Sequence, residues 1–279
     1  MLGYKDRSEV IGMKPYEISP ETQPDGSNSD EKSREMMATA LEQGFHRFEW
    51  MHQKRSGESF PVEVSLSAVN LGGQPAVLVL WRDLTESYKA EIEARALAGF
   101  REAIWELDTS SDVTDVLQAL HEALKTLGTK HRVFGINLLD DANDPQEVHF
   151  LHLRDGQEWE RGANSPEATQ VIIDMWRRGV VAYRANLLEG DALAKSDMIS
   201  ETGEETYARA CVIDIPFSHG TLALNSDVPH AFDEHLEGLE ALTRVLGEAL
   251  QRFGDLQVLR ERTEQAESAS QAKADFLAN

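Results

Sequence analysis

The sequence predicts an α+β protein: two mixed modules of antiparallel sheet with flanking helices, joined by long signalling helices or coiled coil. Three observations carry this. Apolar residues alternate with a period near two over 45–52, 60–69 and 211–217, the spacing of half-buried strands. They recur at steps of three and four over 113–127 and 239–277, the spacing of one helix face. Turn signals at Ser56-Gly57, Leu71-Gly72-Gly73 and Ser218-His219-Gly220 separate strand-like runs by hairpin distances. The 279 residues correspond to about two domains at roughly 100–200 residues each.

Each element follows from its own pattern. Ser29 and Asp30 open a helix with Met36, Met37, Ala40 and Leu41 as its stripe, ended by Gly44. Phe45, Arg47, Glu49 and Met51 then alternate with His46, Phe48, Trp50 and His52 along a first strand. Phe60 to Val69 is a second strand with Val62, Val64, Leu66 and Ala68 on one face. Ala76 to Trp81 is a third, apolar almost throughout. The meander ends at residue 83, and a connector helix over 84–105 carries Leu84, Tyr88, Ile92 and Ala96 at four-residue spacing.

The second module, 106–255, opens on a helix whose face is Val113, Val116, Leu117, Leu120, Leu124 and Leu127. Ser110 or Ser111 is its expected N-cap and Gly128 its C-cap. Val133 to Leu139 and Val148 to Leu153 form a strand pair. Ser165-Pro166 starts a helix that Gly179 ends. Arg184 to Tyr207 is polar and is expected to be a loop with some helix. Cys211 to Phe217 turns back into Thr221 to Leu224. From Asp233 one helix is expected to reach Asn279, with Leu239, Leu242, Leu246, Ala249, Phe253 and Leu256 as a coiled-coil seam. Leu259, Thr263, Ala266, Ser270, Lys273 and Leu277 continue it one three-residue step out of phase, a stammer beside Gly254. Residues 256–279 are therefore a separate coiled-coil segment.

Composition excludes several functions. The net charge of −22 repels phosphate backbones, so no nucleic-acid partner is expected. No run of 18 apolar residues occurs and Met1 to Pro15 is no signal peptide, so a cytoplasmic chain without a membrane span is expected. Cys211 is the only cysteine; it makes no internal disulfide and no cysteine-rich zinc site, and is expected to be a small buried apolar residue. His149 and His152, three apart on a strand, point to opposite faces and do not chelate one ion. No metal ligand and no catalytic residue is assigned. No glycine-rich phosphate loop is present, so the chain alone does not phosphorylate anything.

Three segments resemble known families. Leu2-Gly3-Tyr4, Glu9-Val10-Ile11-Gly12, Lys54-Arg55-Ser56-Gly57 with Phe60-Pro61-Val62-Glu63-Val64, and Arg82-Asp83-Leu84-Thr85 resemble the C-terminal part of a PAS sensor domain over 1–83. The resemblance implies that Asp83 and Thr85 anchor an output helix. That family begins with two further strands, so a truncated start, or else a degenerate half-domain that still folds, and an exposed edge on the third strand are expected. Asp214 to Ser226, followed by Ala231-Phe232-Asp233, resembles a GAF domain. Ala269 to Asn279, with Lys273, Phe276, Leu277, Ala278 and Asn279 at the spacing Lys-x-x-Phe-Leu-Ala-Asn, resembles the start of a histidine-kinase dimerisation domain.

Together these resemblances imply the sensory and signal-transmitting region of a two-component sensor histidine kinase. They place the phosphoacceptor histidine and the ATP site outside this chain, and they imply a homodimer and a response regulator as partners. Asp83, Thr85, Leu256, Leu259, Phe276 and Leu277 are the expected transmission residues. Haem- and flavin-binding PAS domains carry a histidine or cysteine on the helix before the first strand, and residues 30–44 have neither. No cofactor is identified. A small-molecule pocket is expected among Phe48, Trp50, Val64 and Val79 in the first module, or Ile136, Phe150, Trp176 and Ile213 in the second. The alternatives are the sensory module of a cyclic-dinucleotide synthase or phosphodiesterase, and a non-catalytic dimerising scaffold.

Overall fold

A computed structural model describes residues 2–140, 144–154, 159–187 and 210–278, with backbone only at 7, 266–267 and 269–278. The expected loop from Arg184 to Tyr207 lies mostly outside these residues. The chain divides into two compact units at Glu91/Ile92.

The first unit is a helix on a three-stranded meander. Helix α1 (Ser29–Gln43) starts where the Asn28 side chain accepts the Asp30 and Glu31 N–H groups, and ends at Gly44 with φ 84°. Strands β1 (Phe45–Gln53), β2 (Ser59–Leu71) and β3 (Gln74–Asp83) lie antiparallel in the order β1-β2-β3. Phe60, Val62, Val64 and Leu66 alternate inward from β2, and with Ala40 and Trp50 they form the core. The edge of β1 is closed locally by one side chain. Gln23 accepts the Met51 N–H at 2.8 Å and donates to its carbonyl at 3.2 Å, as a neighbouring strand would. Strand β3 has an open edge, and Leu78 and Leu80 on its outer face are 50% and 61% exposed.

Helix α2 (Thr85–Trp105) crosses the division between the units. The sequence treats 84–105 as a separate connector, yet Ala96, Phe100 and Ile104 are buried in the second core. The C-terminal half of α2 is thus an element of the second unit.

That unit carries a six-stranded antiparallel sheet, with strands β4 (Val133–Leu139), β5 (Val148–Arg154), β6 (Trp159–Ala163), β7 (Ala182–Arg184), β8 (Cys211–Phe217) and β9 (Gly220–Ser226). Their order is β6-β5-β4-β9-β8-β7. One face presents Phe134, Ile136, Leu151, Leu153, Ile213, Leu222 and Leu224 to α2, α3 (Val113–Leu127) and α5 (Leu236–Ala278). On the other face α4 (Pro166–Arg178) packs Ile172 and Ile173 against Val148 and Leu139. Strands approach closely at two glycines: a Cβ at Gly220 would fall 1.7 Å from the Asn137 carbonyl oxygen, and one at Gly135 2.5 Å from that of Leu151.

Three expectations are corrected here. The N-cap of α3 is Asp112, not Ser110 or Ser111: its carboxylate accepts the Thr114 N–H at 2.6 Å while Asp115 accepts the Asp112 N–H at 2.7 Å. Strands β6 and β7, absent from the sequence reading, are added to the sheet. The run Leu239, Leu242, Leu246 and Ala249 is not an intermolecular seam. All four are fully buried in the unit's own core, and Phe253 packs against it. The same three-four spacing serves any one-sided burial, here against α3 and β8. Beyond it, Leu256 is half-buried and Leu259 is 54% exposed. The helix runs unbroken through Gly254.

Candidate functional site

A cavity of about 320 Å³ lies in the first unit between the sheet and the residues before and within α1. The pleat of β1 sends Phe48, Trp50 and His52 to its inner face, opposite Val64 and Leu66 of β2, while Val79 and Trp81 reach it from β3. Val10, Met13, Pro15 and Ile18 supply the wall from the N-terminal segment; Ser33 and Met37 supply it from α1. Side-chain polarity comes from His52, Ser33 and the indole rings of Trp50 and Trp81, and among the described residues no Lys, Arg, Asp or Glu lines it. An apolar wall of this kind takes an apolar molecule and offers an ion no counter-charge.

Aromatic rings pair along this face. Phe48 meets Trp50 edge-on with centroids 5.8 Å apart, and the His52 ring lies 4.1 Å from that of Trp81. The polar groups of Trp50 and His52 are held at the end of one short 3₁₀ turn, Pro15–Ile18. Ser19 Oγ donates to the Pro15 carbonyl at 2.6 Å and accepts Trp50 Nε1–H at 2.9 Å. His52 Nδ1 lies 2.9 Å from the Ile18 carbonyl oxygen and 3.2 Å from Ser19 Oγ. The imidazole is 1% exposed. Its burial pushes its pKa down, against the raising effect of the Ile18 carbonyl, and so favours the neutral ring.

All four pocket candidates read from the first module, Phe48, Trp50, Val64 and Val79, line this cavity. His52, Ser19 and Trp81 were missed as site residues. Strand alternation puts His52 on the same face as Trp50, but nothing in the sequence ties either to Ser19, more than 30 residues earlier.

The candidates in the second module do not form one site. The register pairs Ile136 with Leu151 and Asn137 with Phe150, so Ile136 and Phe150 face opposite sides of the sheet. Ile136 and Ile213 are core residues, 1% and 0% exposed. Phe150 stacks on His152 with centroids 4.8 Å apart, and Trp176 Nε1–H donates to the Phe217 carbonyl at 2.7 Å. His149 and His152 diverge as expected: His149 pairs with Glu147 and His152 with Glu160. Cys211 is buried, and burial pushes its thiol pKa up. Among the described residues no group of three or more His, Cys, Asp and Glu is arranged to hold a metal ion.

The second unit holds an imidazole pair. His131 packs 3.4 Å from His121, nitrogen to nitrogen, and His121 stacks on Phe134. Thr129 Oγ1 lies 3.0 Å from His131 Nδ1. Burial, and then the neighbouring His121, push the His131 pKa from 6.5 down to about 4.

Of the transmission residues, Asp83 and Thr85 meet at the start of α2. The Asp83 carboxylate accepts the Thr85 N–H at 2.9 Å, and this bonding holds its pKa below the usual carboxylate range. Leu84 N–H donates to the Pro61 carbonyl at 3.0 Å, and Tyr88 donates to Glu49 of β1, so three bonds tie α2 to the sheet and its end. Leu256 and Leu259 lie on α5 past the core. The side chains of Phe276 and Leu277 lie outside the described residues.

Comparison with known proteins agrees with the first unit. A sensor of Methanosarcina acetivorans, the methyl sulfide methyltransferase-associated sensor, is 31% identical over 134 residues, 46% of this chain. The chain spans only 12% of that sensor's length. The chromophore-binding domain of Stigmatella aurantiaca bacteriophytochrome in the Pr state superposes with a TM-score of 0.41 at 10% identity, covering 88% of this chain and 86% of that one. The wild-type chromophore-binding domain of phytochrome P1 from the same organism gives 0.38 at 11% identity, covering 88% and 85%. Residues 1–86 match the PAS domain family.

Proposed function

We propose that this chain is the sensory and signal-transmitting region of a two-component sensor histidine kinase, relaying a signal detected by its PAS and GAF-like units to a kinase core outside the chain. The observation that carries the reading is the last helix. Its 43 residues begin in the second unit's core and continue into the Lys273-to-Asn279 stretch that resembles the start of a dimerisation domain. The PAS match over 1–86 and the similarity to a protein described as a sensor support a sensory role.

Within one copy the relay runs through α2 and α5. A change in the first unit's sheet reaches α2 through Asp83, Leu84 and Tyr88. The second half of α2 packs in the same core as α5, so a shift of α2 is felt by the helix that leaves the unit. A ligand drives this only if it binds the two states unequally. Outside the core, α5 pairs with its counterpart in a second copy, with Leu256 and Leu259 at the start of the seam.

The test is sedimentation equilibrium of the chain and of a Leu256→Glu/Leu259→Glu variant. The expected result is a dimer that the double substitution shifts to monomer. An unchanged equilibrium removes the paired-helix step. The coding sequence after Asn279 tests the output: a Ser-His-Glu stretch supports the kinase, a Gly-Gly-Asp-Glu-Phe stretch a cyclic-dinucleotide synthase.

A further inference from the structure

The hydrogen on His52 can be placed by elimination. Nδ1 faces the Ile18 carbonyl and Ser19 Oγ. A carbonyl only accepts. The Ser19 hydroxyl has already given its hydrogen to the Pro15 carbonyl and accepts from Trp50. Nδ1 therefore carries the proton and donates. The neutral ring is left with a bare lone pair on Nε2, and that atom is buried with no hydrogen-bond partner. A buried acceptor without a donor is a costly arrangement that native structures rarely keep without a use. The ring carrying it is part of the wall of an otherwise apolar cavity.

Trp81 lies against this imidazole, on the edge strand β3 and only half-buried. It stands two residues before Asp83, whose carboxylate holds the first turn of α2.

We propose that the cavity binds a small, uncharged, mainly apolar molecule carrying one N–H or O–H donor, which bonds to Nε2 of His52 as Trp81 turns aside. This rests on the sensory reading above and deepens it by naming the chemical class of the signal and the first residue it moves. The absence of charged lining residues selects an uncharged molecule. The cavity's 320 Å³, near the lower end of ligand pockets, selects a small one. The unpartnered acceptor selects for the donor, because a site built around a hydrogen bond rejects an analogue that lacks it. Displacement of Trp81 strains the end of β3 where Asp83 caps α2, so a donor-bearing ligand favours the shifted state and an isostere without a donor does not.

Indole and benzofuran have nearly the same shape and differ in one N–H for one oxygen. The full chain and His52→Phe are titrated with each by calorimetry, and the His52 ring nitrogens are followed by long-range ¹H–¹⁵N NMR. Indole is expected to bind the wild type about ten-fold tighter than benzofuran. His52→Phe is expected to bring the two within about two-fold, the level at which no hydrogen bond is read. In the wild type the Nε2 resonance moves on adding indole. Equal binding of the two probes, discrimination retained in His52→Phe, a protonated Nε2 in the free protein, or no saturable binding of indole each overturns the proposal. Should His52→Phe fail to fold, the wild-type ratio and the Nε2 resonance decide alone. Sedimentation reports on the relay separately: loss of the dimer with indole discrimination intact would remove the relay and leave this site standing.

Discussion

His131 shows what one half-buried side chain does to the whole second unit. Its pKa falls from 6.5 to about 4 in the fold, chiefly through burial. Between those values the unfolded chain binds a proton that the folded chain refuses. Stability is therefore unaffected above about pH 6.5 and declines as pH falls toward about 4, by about 3 kcal/mol in all. Thermal melts between pH 7 and 5 are expected to show a falling midpoint for this unit, with a shallower slope in His131→Gln. His121 is shifted in the same direction by burial and adds to the trend. The first unit's His52 obeys the same sign, but its role is set by geometry. Ser19 Oγ serves three partners at once, and leaving the Trp50 and His52 donors unmatched would cost about 1–3 kcal/mol each. Such three-way junctions depend on contacts between residues far apart in the chain, which is why Ser19 carries no mark in the sequence.

Among the elements, α3 tests how closely local chemistry sets a boundary. Asp112 and Asp115 reciprocally satisfy two N–H groups. Asp112→Ala is expected to cost about 1 kcal/mol, read as a lower urea midpoint with unchanged slope. The helix itself was plain from its apolar face, and Gly128 from its place after Leu127. The cap was misplaced because two serines and an aspartate stand in a row and any of the three can cap. The meander of the first unit was legible for a similar reason: strict alternation from Phe60 to Leu66 leaves one register that buries the set. Strand β6 was not. Trp159 to Ala163 holds Glu160, Arg161 and Gly162, with no alternation, and becomes a strand only because β5 offers it an edge. The helical spacing from Leu239 to Ala249 was read correctly and its partner wrongly, since periodicity says that a face is covered and not by what. The pocket divides along the same line. Phe48 and Trp50, on one strand face, line one cavity; Ile136 and Phe150, neighbours across two strands, are separated by a register the sequence does not print.

For the molecule as a whole, the two units carry separate cores, one around Val62 and Val64, the other around Leu120 and Leu222. Leu66→Ala and Leu222→Ala each remove a buried side chain and are expected to cost about 2–5 kcal/mol. Each substitution should lower one calorimetric transition and leave the other in place; a single merged transition shifted by both would show the units to melt as one. The long final helix adds a mechanical consequence. Its last tie to the unit is the bond from Gln257 Nε2 to the Ser111 carbonyl, and the stretch from there to Ala278 spans about 32 Å at about 1.5 Å per residue. A stiff lever of that length magnifies: tipping its base by about 5° carries its far end roughly 3 Å, close to the width of an atom. An adjustment at the fulcrum too slight to disturb any packed side chain would thus arrive at the tip as a change of position large enough to make or break a bond.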